Sequence, residues 1–302
     1  MKFGLDSPEV IVGLKGLPVR EPFPGDQGGL VVDALMSLTA VSASTLIREA
    51  APILAESAGL VAADEIRNAG TLGGNLCQDS RCLYYNQNHD FQFVDPCYKR
   101  EGEKCYFIPK GKKCWAIYMS DTAPALICLG AQLNIAGSGG FKTIPLESLY
   151  SNDPRKPLSL GPTEIVREVR IPAPPAHRRQ AFVKHTLRGA LDFAALNVAA
   201  VLDLESDGGP CSEARIAVGA VSSAPVRAIR AESVLAGKPL TPDLIWEVSK
   251  TVSEEVRIVP HHGFSGAYLT ECLRVQVRRA LSAAAEGTMG RGREAENGKN
   301  AS

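Results

Sequence analysis

The sequence predicts an α+β fold, and three observations carry that prediction. Short runs of apolar or alternating residues mark strands at 29–33, 164–171, 195–204 and 214–221. Segments with helical spacing follow them near 224–236, 241–256 and 265–285. Between the strands at 164–171 and 195–204, residues 171–179 hold Pro172, Pro174 and Pro175, through which neither a helix nor a ladder runs.

In chain order, Gly-Leu-Val-Val-Asp at 29–33 is a compact β-branched run and reads as a strand. Residues 43–58 read as one or two short helices broken at Pro52, because proline lacks the N–H that continues a helix. Residues 164–171 alternate polar and apolar side chains and read as a strand. The proline-rich stretch divides a first domain, 1–176, from a second α+β domain, 177–285. In the second domain 195–204 and 214–221 form a predicted hairpin, followed by the three helices. Residues 286–302 have almost no apolar surface to bury and are expected to be a disordered tail. There is no internal repeat.

Four cysteines, Cys82, Cys97, Cys105 and Cys114, interrupt the first domain within a polar insert, 82–114. Their gaps of 14, 7 and 8 residues match neither the close pairs of zinc ribbons nor the tight spacing of bacterial ferredoxins. Between Cys97 and Cys114 stand six basic residues, Lys99, Arg100, Lys104, Lys110, Lys112 and Lys113, against Glu101 and Glu103. Four thiolates are anionic, and a cationic wrapping offsets that charge. Disulfides are not expected: no apolar core of signal-peptide length opens the chain, and 302 residues bury a core without staples. Spacing alone leaves zinc and iron-sulfur open. Tyr84, Tyr85 and Trp115 flank these cysteines and read as shields against water. Cys128, Cys211 and Cys272 read as buried or incidental thiols, and His261-His262 as an exposed loop pair.

Upstream of the insert, residues 66–76 read Ile-Arg-Asn-Ala-Gly-Thr-Leu-Gly-Gly-Asn-Leu. Gly70, Gly73 and Gly74 allow a tight turn whose N–H groups approach a phosphate, with Thr71 and Asn75 as side-chain donors. The turn is neither a Walker loop nor a G-x-G-x-x-G fingerprint.

This turn, together with Ser-Asp-Thr-Ala-Pro-Ala-Leu-Ile-Cys-Leu-Gly-Ala at 120–131 and Phe-Val-Lys-His-Thr-Leu-Arg-Gly-Ala-Leu-Asp-Phe-Ala at 182–194, resembles the FAD-binding subunits of the molybdenum hydroxylases. That family includes carbon monoxide dehydrogenase and xanthine dehydrogenase, and the resemblance extends to about residue 285. The cysteine insert is similar to that of 4-hydroxybenzoyl-CoA reductase beta subunits, where four cysteines hold a 4Fe-4S cluster, and so places iron-sulfur ahead of zinc. The resemblance implies the FAD-binding fold of the molybdopterin dehydrogenase flavoproteins, followed by their small α+β C-terminal domain. It also implies a FAD site. Thr71, Leu72, Gly73, Gly74 and Asn75 match the turn at the pyrophosphate region, and Val61 lends backbone to the same cleft. Asp121 matches a carboxylate facing the cofactor's polar portion, and it also reads as an N-cap for the helix after it. Lys184 matches a lysine at the isoalloxazine, where a cation stabilises reduced flavin; without the resemblance it would read as a solvated strand lysine. Val166 matches a backbone contact. The family's N-terminal βαβ segment, with an Ala-Gly-Gly-Thr-type loop, has no counterpart here, so the expected cradle is incomplete at its N-terminus.

Lysine plus arginine and aspartate plus glutamate number 33 each, which argues against nucleic acid or an anionic membrane as partner. No apolar stretch is long enough to span a bilayer, and a cytoplasmic subunit is expected. No hydrolytic constellation is present, so no residue is assigned to catalysis. The resemblance implies an oxidoreductase subunit, inactive alone. It would carry electrons from a ferredoxin-like donor through the cluster and FAD to a 2Fe-2S small subunit and a molybdenum-cofactor large subunit, where an aromatic acyl-CoA is reductively dehydroxylated. The alternative is a non-catalytic zinc-stabilised scaffold, or a truncated flavoprotein that no longer binds FAD.

Overall fold

The computed structural model describes residues 7–85, 95–188 and 191–288. Its first sheet is antiparallel, with strands β1 (Phe23–Pro24), β2 (Leu30–Asp33), β3 (Gln132–Gly137), β4 (Gly140–Pro145) and β5 (Ile165–Ile171) in the order β1-β2-β5-β3-β4. The β3–β4 hairpin turns through Ser138 and Gly139 and was not legible as a periodic run. Between Asn134 and Ile135 of β3 the register skips one residue of β5, Arg167. Its carbonyl, freed from the ladder, accepts the Ala34 N–H at 2.9 Å.

Asp33 and Glu168 stand opposite each other in the β2–β5 pair, a like-charge juxtaposition that alone destabilises a sheet. Arg20 resolves it, with Nε 3.2 Å from Asp33 Oδ2 and Nη2 2.6 Å from Glu168 Oε2. Arg170 adds Nη2 at 2.7 Å from Glu168 Oε1.

Five short helices link β2 to the insert. They are α1 (Leu38–Ala43), α2 (Thr45–Ala50), α3 (Pro52–Gly59), α4 (Asp64–Ala69) and α5 (Leu72–Leu76). The predicted break at Pro52 is present, with Pro52 in the first turn of α3. A second break stands at Ser44, whose hydroxyl caps α2 by accepting from Ile47 N–H at 3.4 Å. Helix α6 (Thr122–Cys128) follows the insert, and all seven of its residues are buried.

The second sheet has the order β6-β7-β8-β9, from β6 (Arg178–His185), β7 (Leu196–Leu204), β8 (Cys211–Gly219) and β9 (Val226–Arg227). The expected hairpin is the β7–β8 pair. Residues 226–227 form β9 rather than the start of a helix, and α7 runs only over Ile229–Leu235, followed by α8 (Pro242–Glu255) and α9 (Gly266–Ala285). Every residue of β7 is buried, because its two faces serve two cores. Phe182, Ala199, Val201 and Ala217 pack with the first-half helices. Val183, Val198, Ala200, Leu202 and Ile216 pack with α7–α9. Thr288 N–H donates to Ala283 O at 2.8 Å, so the expected tail is still tied to α9 at that point, and residues 289–302 lie outside the described set. Among the described residues no helix is long and apolar enough to cross a membrane.

Candidate functional site

The glycine-rich turn folds into α5 with Thr71 as its N-cap, Oγ1 accepting from Gly74 N–H at 3.0 Å. The other N–H groups are also used within the chain. Leu72 donates to Met36 O at 2.9 Å, Gly73 to Ala34 O at 2.7 Å and Asn75 to Thr71 O at 2.9 Å. The expected backbone cradle is therefore spent on the fold. Gly73 is needed for close packing: a Cβ there would lie 2.9 Å from Ala34 Cβ and 3.0 Å from its carbonyl oxygen. Side-chain chemistry remains for an anion. Ser120 Oγ and Thr122 Oγ1 donate to Asn75 Oδ1 at 2.6 and 2.7 Å, which leaves the amide's NH₂ group as the outward donor. The Thr71 hydroxyl, accepting through a lone pair, keeps its proton to donate. These two side chains are the donors the turn has left for an anion.

A second polar group lies at the start of α6. Lys184 Nζ, from β6, donates to Asp121 Oδ2 and to Leu60 O, each at 2.7 Å. It is a buried ammonium, not a solvated strand lysine, and it sits at the C-terminal end of α3, where the helix dipole favours a cation. Asn197 Nδ2, from β7, donates to Asp121 Oδ1 at 2.8 Å. Burial pushes the Asp121 carboxyl up, opposed by Lys184 and Asn197. Asp121 does not cap α6; Ser120 Oγ accepts from Ala123 N–H at 3.1 Å instead. Val61 is buried beside this group, its carbonyl accepting from Arg67 Nη1 at 2.7 Å. Val166 is buried in β5 opposite Ile135, its backbone part of the ladder. The structure thus joins Thr71–Asn75, Asp121 and Lys184 through the α6 N-terminus. Asn197, Ser120 and Thr122 belong to the same network; Ser120 and Thr122 stand within the 120–131 motif but were given no role there, and Asn197 lies outside every motif.

Cys82, Cys97, Cys105 and Cys114 line one cavity, walled by Tyr84, Tyr85, Tyr98, Tyr106, Phe107 and Trp115. The aromatic residues read as shields are among its lining. All eight cysteines are free thiols. Backbone N–H groups face the sulfurs: Ile108 donates to Cys105 Sγ at 3.4 Å, Tyr84 and Tyr85 to Cys82, and Ala116 to Cys114. Burial pushes the Cys82 and Cys114 thiols up. Lys99 also lines the cavity. Its ammonium is held by Asp79 Oδ1 and Pro154 O, each at 2.7 Å, and by Ser80 Oγ at 3.0 Å. Among the described residues no three His, Cys, Asp or Glu side chains are placed to hold one metal ion. The four cysteines thus line one hollow, with N–H donors on three of their sulfurs and a buried lysine ammonium in the lining.

The insert is fastened to the glycine turn. Arg81 and Ile117 exchange both backbone hydrogen bonds, at 2.7 and 2.9 Å, directly before Cys82 and three residues after Cys114. Tyr118 follows, and its hydroxyl donates to Leu76 O at 2.8 Å and lies 3.0 Å from the Tyr150 hydroxyl. Burial pushes both phenols up, which keeps them neutral donors. Cys77, which the sequence reading passed over, closes α5, with its thiol pushed up by burial to about 11. His261 is buried rather than exposed, with its ring nitrogens 2.7 Å from Val259 O and 2.8 Å from Ala195 O, while His262 is exposed.

Residues 1–174 match the family described as FAD binding domain in molybdopterin dehydrogenase, and 181–284 match the CO dehydrogenase flavoprotein C-terminal domain. The chain is 28% identical over 250 residues to the aldehyde oxidoreductase FAD-binding subunit PaoB of Escherichia coli, covering 78% of this chain and 75% of that one. It is 26% identical over 286 residues to the carbon monoxide dehydrogenase medium chain of Afipia carboxidovorans, covering 94% and 84%. Among solved structures, a carbon monoxide dehydrogenase from Hydrogenophaga pseudoflava has the same fold, with a TM-score of 0.71 at 22% identity over 89% of this chain and 79% of that one.

Proposed function

This chain belongs to the family of FAD-binding domains in molybdopterin dehydrogenases, as a flavoprotein subunit of an oxidoreductase complex, and on that premise we propose that it carries both FAD and a 4Fe-4S cluster. The observation that carries the second cofactor is one aromatic-walled cavity lined by all four insert cysteines, with backbone N–H groups on the sulfurs and buried Lys99 in the same lining. Cys82, Cys97, Cys105 and Cys114 would hold the cluster. Thr71 and Asn75 would meet the FAD phosphates through their side chains, and Gly73 sets how closely α5 approaches Ala34. Leu72 and Gly74 complete the turn, Val61 and Val166 contribute backbone, and the Asp121–Lys184 pair holds a fixed cation for the flavin region. Together these groups would hold a one-electron and a two-electron carrier, whose chemistry the protein positions and tunes.

In this reading residues 1–176 form the FAD-binding domain and 177–285 the C-terminal domain. The partners are a 2Fe-2S subunit and a molybdenum subunit, with a ferredoxin-like electron donor. The substrate class is an aromatic acyl-CoA, as in 4-hydroxybenzoyl-CoA reductase. The alternative reading is the zinc-stabilised scaffold. Anaerobic purification with iron, acid-labile sulfide, zinc and flavin analysis tests the cofactors, and stoichiometric zinc without sulfide would favour the scaffold. Co-expression with the two partner subunits and an assay of 4-hydroxybenzoyl-CoA reduction tests the complex. Turnover by this chain alone would refute its role as a carrier.

A further inference from the structure

The cysteine cavity and the glycine turn are joined by a short closed ring of contacts. From Leu76 the chain runs to Arg81, crosses to Ile117 by two backbone hydrogen bonds, and returns from Tyr118 to Leu76 through the phenol hydroxyl. Cys82 follows Arg81 directly, and Cys114 precedes Ile117 by three residues, so both lie close to that bridge in sequence. We propose that Tyr118 is a positioning residue that couples the two cofactor sites, so that filling the cysteine site strengthens FAD binding at the α5 turn. This inference rests on the two-cofactor reading above.

Helix α5 has five residues, too few to be stable alone, so its order depends on its ties. At its N-terminal end it is held by Met36 O and Ala34 O, and at its C-terminal end by the Tyr118 hydroxyl on Leu76 O. Tyr118 is in turn placed by the Arg81–Ile117 bridge and by its own N–H, which donates to Ser222 O at 2.9 Å. A group bound to all four thiols pins Cys82 and Cys114 and so disfavours opening of the bridge. The ordering cost at α5 is then already met when FAD binds, which is positive coupling, and by linkage FAD retains the cluster to the same degree.

The test measures FAD affinity by fluorescence quenching for the full chain with its cluster and after anaerobic cluster removal, in the wild type and in two variants. Tyr118→Phe removes the hydroxyl and keeps the ring, while Tyr150→Phe removes the neighbouring hydroxyl and leaves the Tyr118–Leu76 bond. Cluster loading is expected to tighten FAD about fivefold or more in the wild type and in Tyr150→Phe. In Tyr118→Phe the ratio is expected to fall close to one, with iron content unchanged. Amide exchange over 72–77, measured without FAD, is expected to slow on cluster loading only where Tyr118 is present. Equal coupling in Tyr118→Phe and the wild type, or none in the wild type, overturns the inference while leaving the two cofactors in place. A chain that binds no iron-sulfur cluster or no FAD overturns the two-cofactor reading and this inference together.

Discussion

Lys184 Nζ lies 2.7 Å from Asp121 Oδ2, and both side chains are 7% exposed. Removing one partner of such a pair leaves the other charge buried, at a cost of about 3–5 kcal/mol, whereas replacing both is far milder. Lys184→Met is therefore expected to lower stability strongly, and Lys184→Met with Asp121→Asn to recover much of the loss. Urea denaturation of the wild type, both singles and the double checks this. Equal destabilisation of the lysine single and the double would show that the charge pair is not the source.

Gly73→Ala places a methyl 2.9 Å from Ala34 Cβ, against backbone that cannot rotate away. Overpacking of this kind costs about 1–3 kcal/mol, and α5 must shift to relieve it. The expected outcome is a lower melting temperature together with weaker FAD retention. Gly139→Ala, with nothing within 4 Å, is expected to change neither.

Cys82→Ser, Cys97→Ser, Cys105→Ser and Cys114→Ser are each expected to lose most of the iron. Cys77→Ser and Cys128→Ser lie outside the cavity lining and are expected to keep it. Iron and sulfide content of anaerobically purified variants decides this. Retention of full iron by any of the first four removes that residue from the ligand set.

The Asp33–Glu168 pair makes stability depend on acid. Burial raises the Glu168 carboxyl, but hydrogen bonds from Arg20 and Arg170 outweigh it, and the net value falls below the ordinary 4.5. A depressed carboxyl contributes stability that is present above the unfolded value and lost as pH falls through the folded one. The wild type is therefore expected to lose stability as pH drops below about 4.5, and Glu168→Gln to show a shallower dependence there. Denaturation midpoints of both proteins between pH 3 and pH 7, approximately, check the sign.

The strand at 29–33, the proline break at Pro52 and the β7–β8 hairpin were readable because each depends on local pattern. The β3–β4 hairpin was not, since its exposed second strand lacks an apolar face. At the site, the four cysteines were legible by residue type, and the structure adds that they share a cavity. The packing constraint on Gly73 was not legible, because it is set by Ala34, almost forty residues earlier, whose carbonyl also accepts the Gly73 N–H. Lys184 looked solvated because its partners, Asp121 and Leu60, are remote in sequence. Asn197 carries no signature, and Ser120 and Thr122, though inside the 120–131 motif, show no sign of their role. Each is an ordinary polar residue until folding places it around Asp121 and Asn75.

The doubly buried β7 also has a consequence for the order of synthesis. The inward faces of α3 and α6 are completed by Phe182, Ala199, Val201 and Ala217, all of which leave the ribosome after both helices. At roughly 5–20 residues per second, the nascent first half waits several seconds for that wall. Until β8 arrives, the side of α6 that packs on β7 and β8 stays uncovered, and the unfinished chain is exposed to aggregation there.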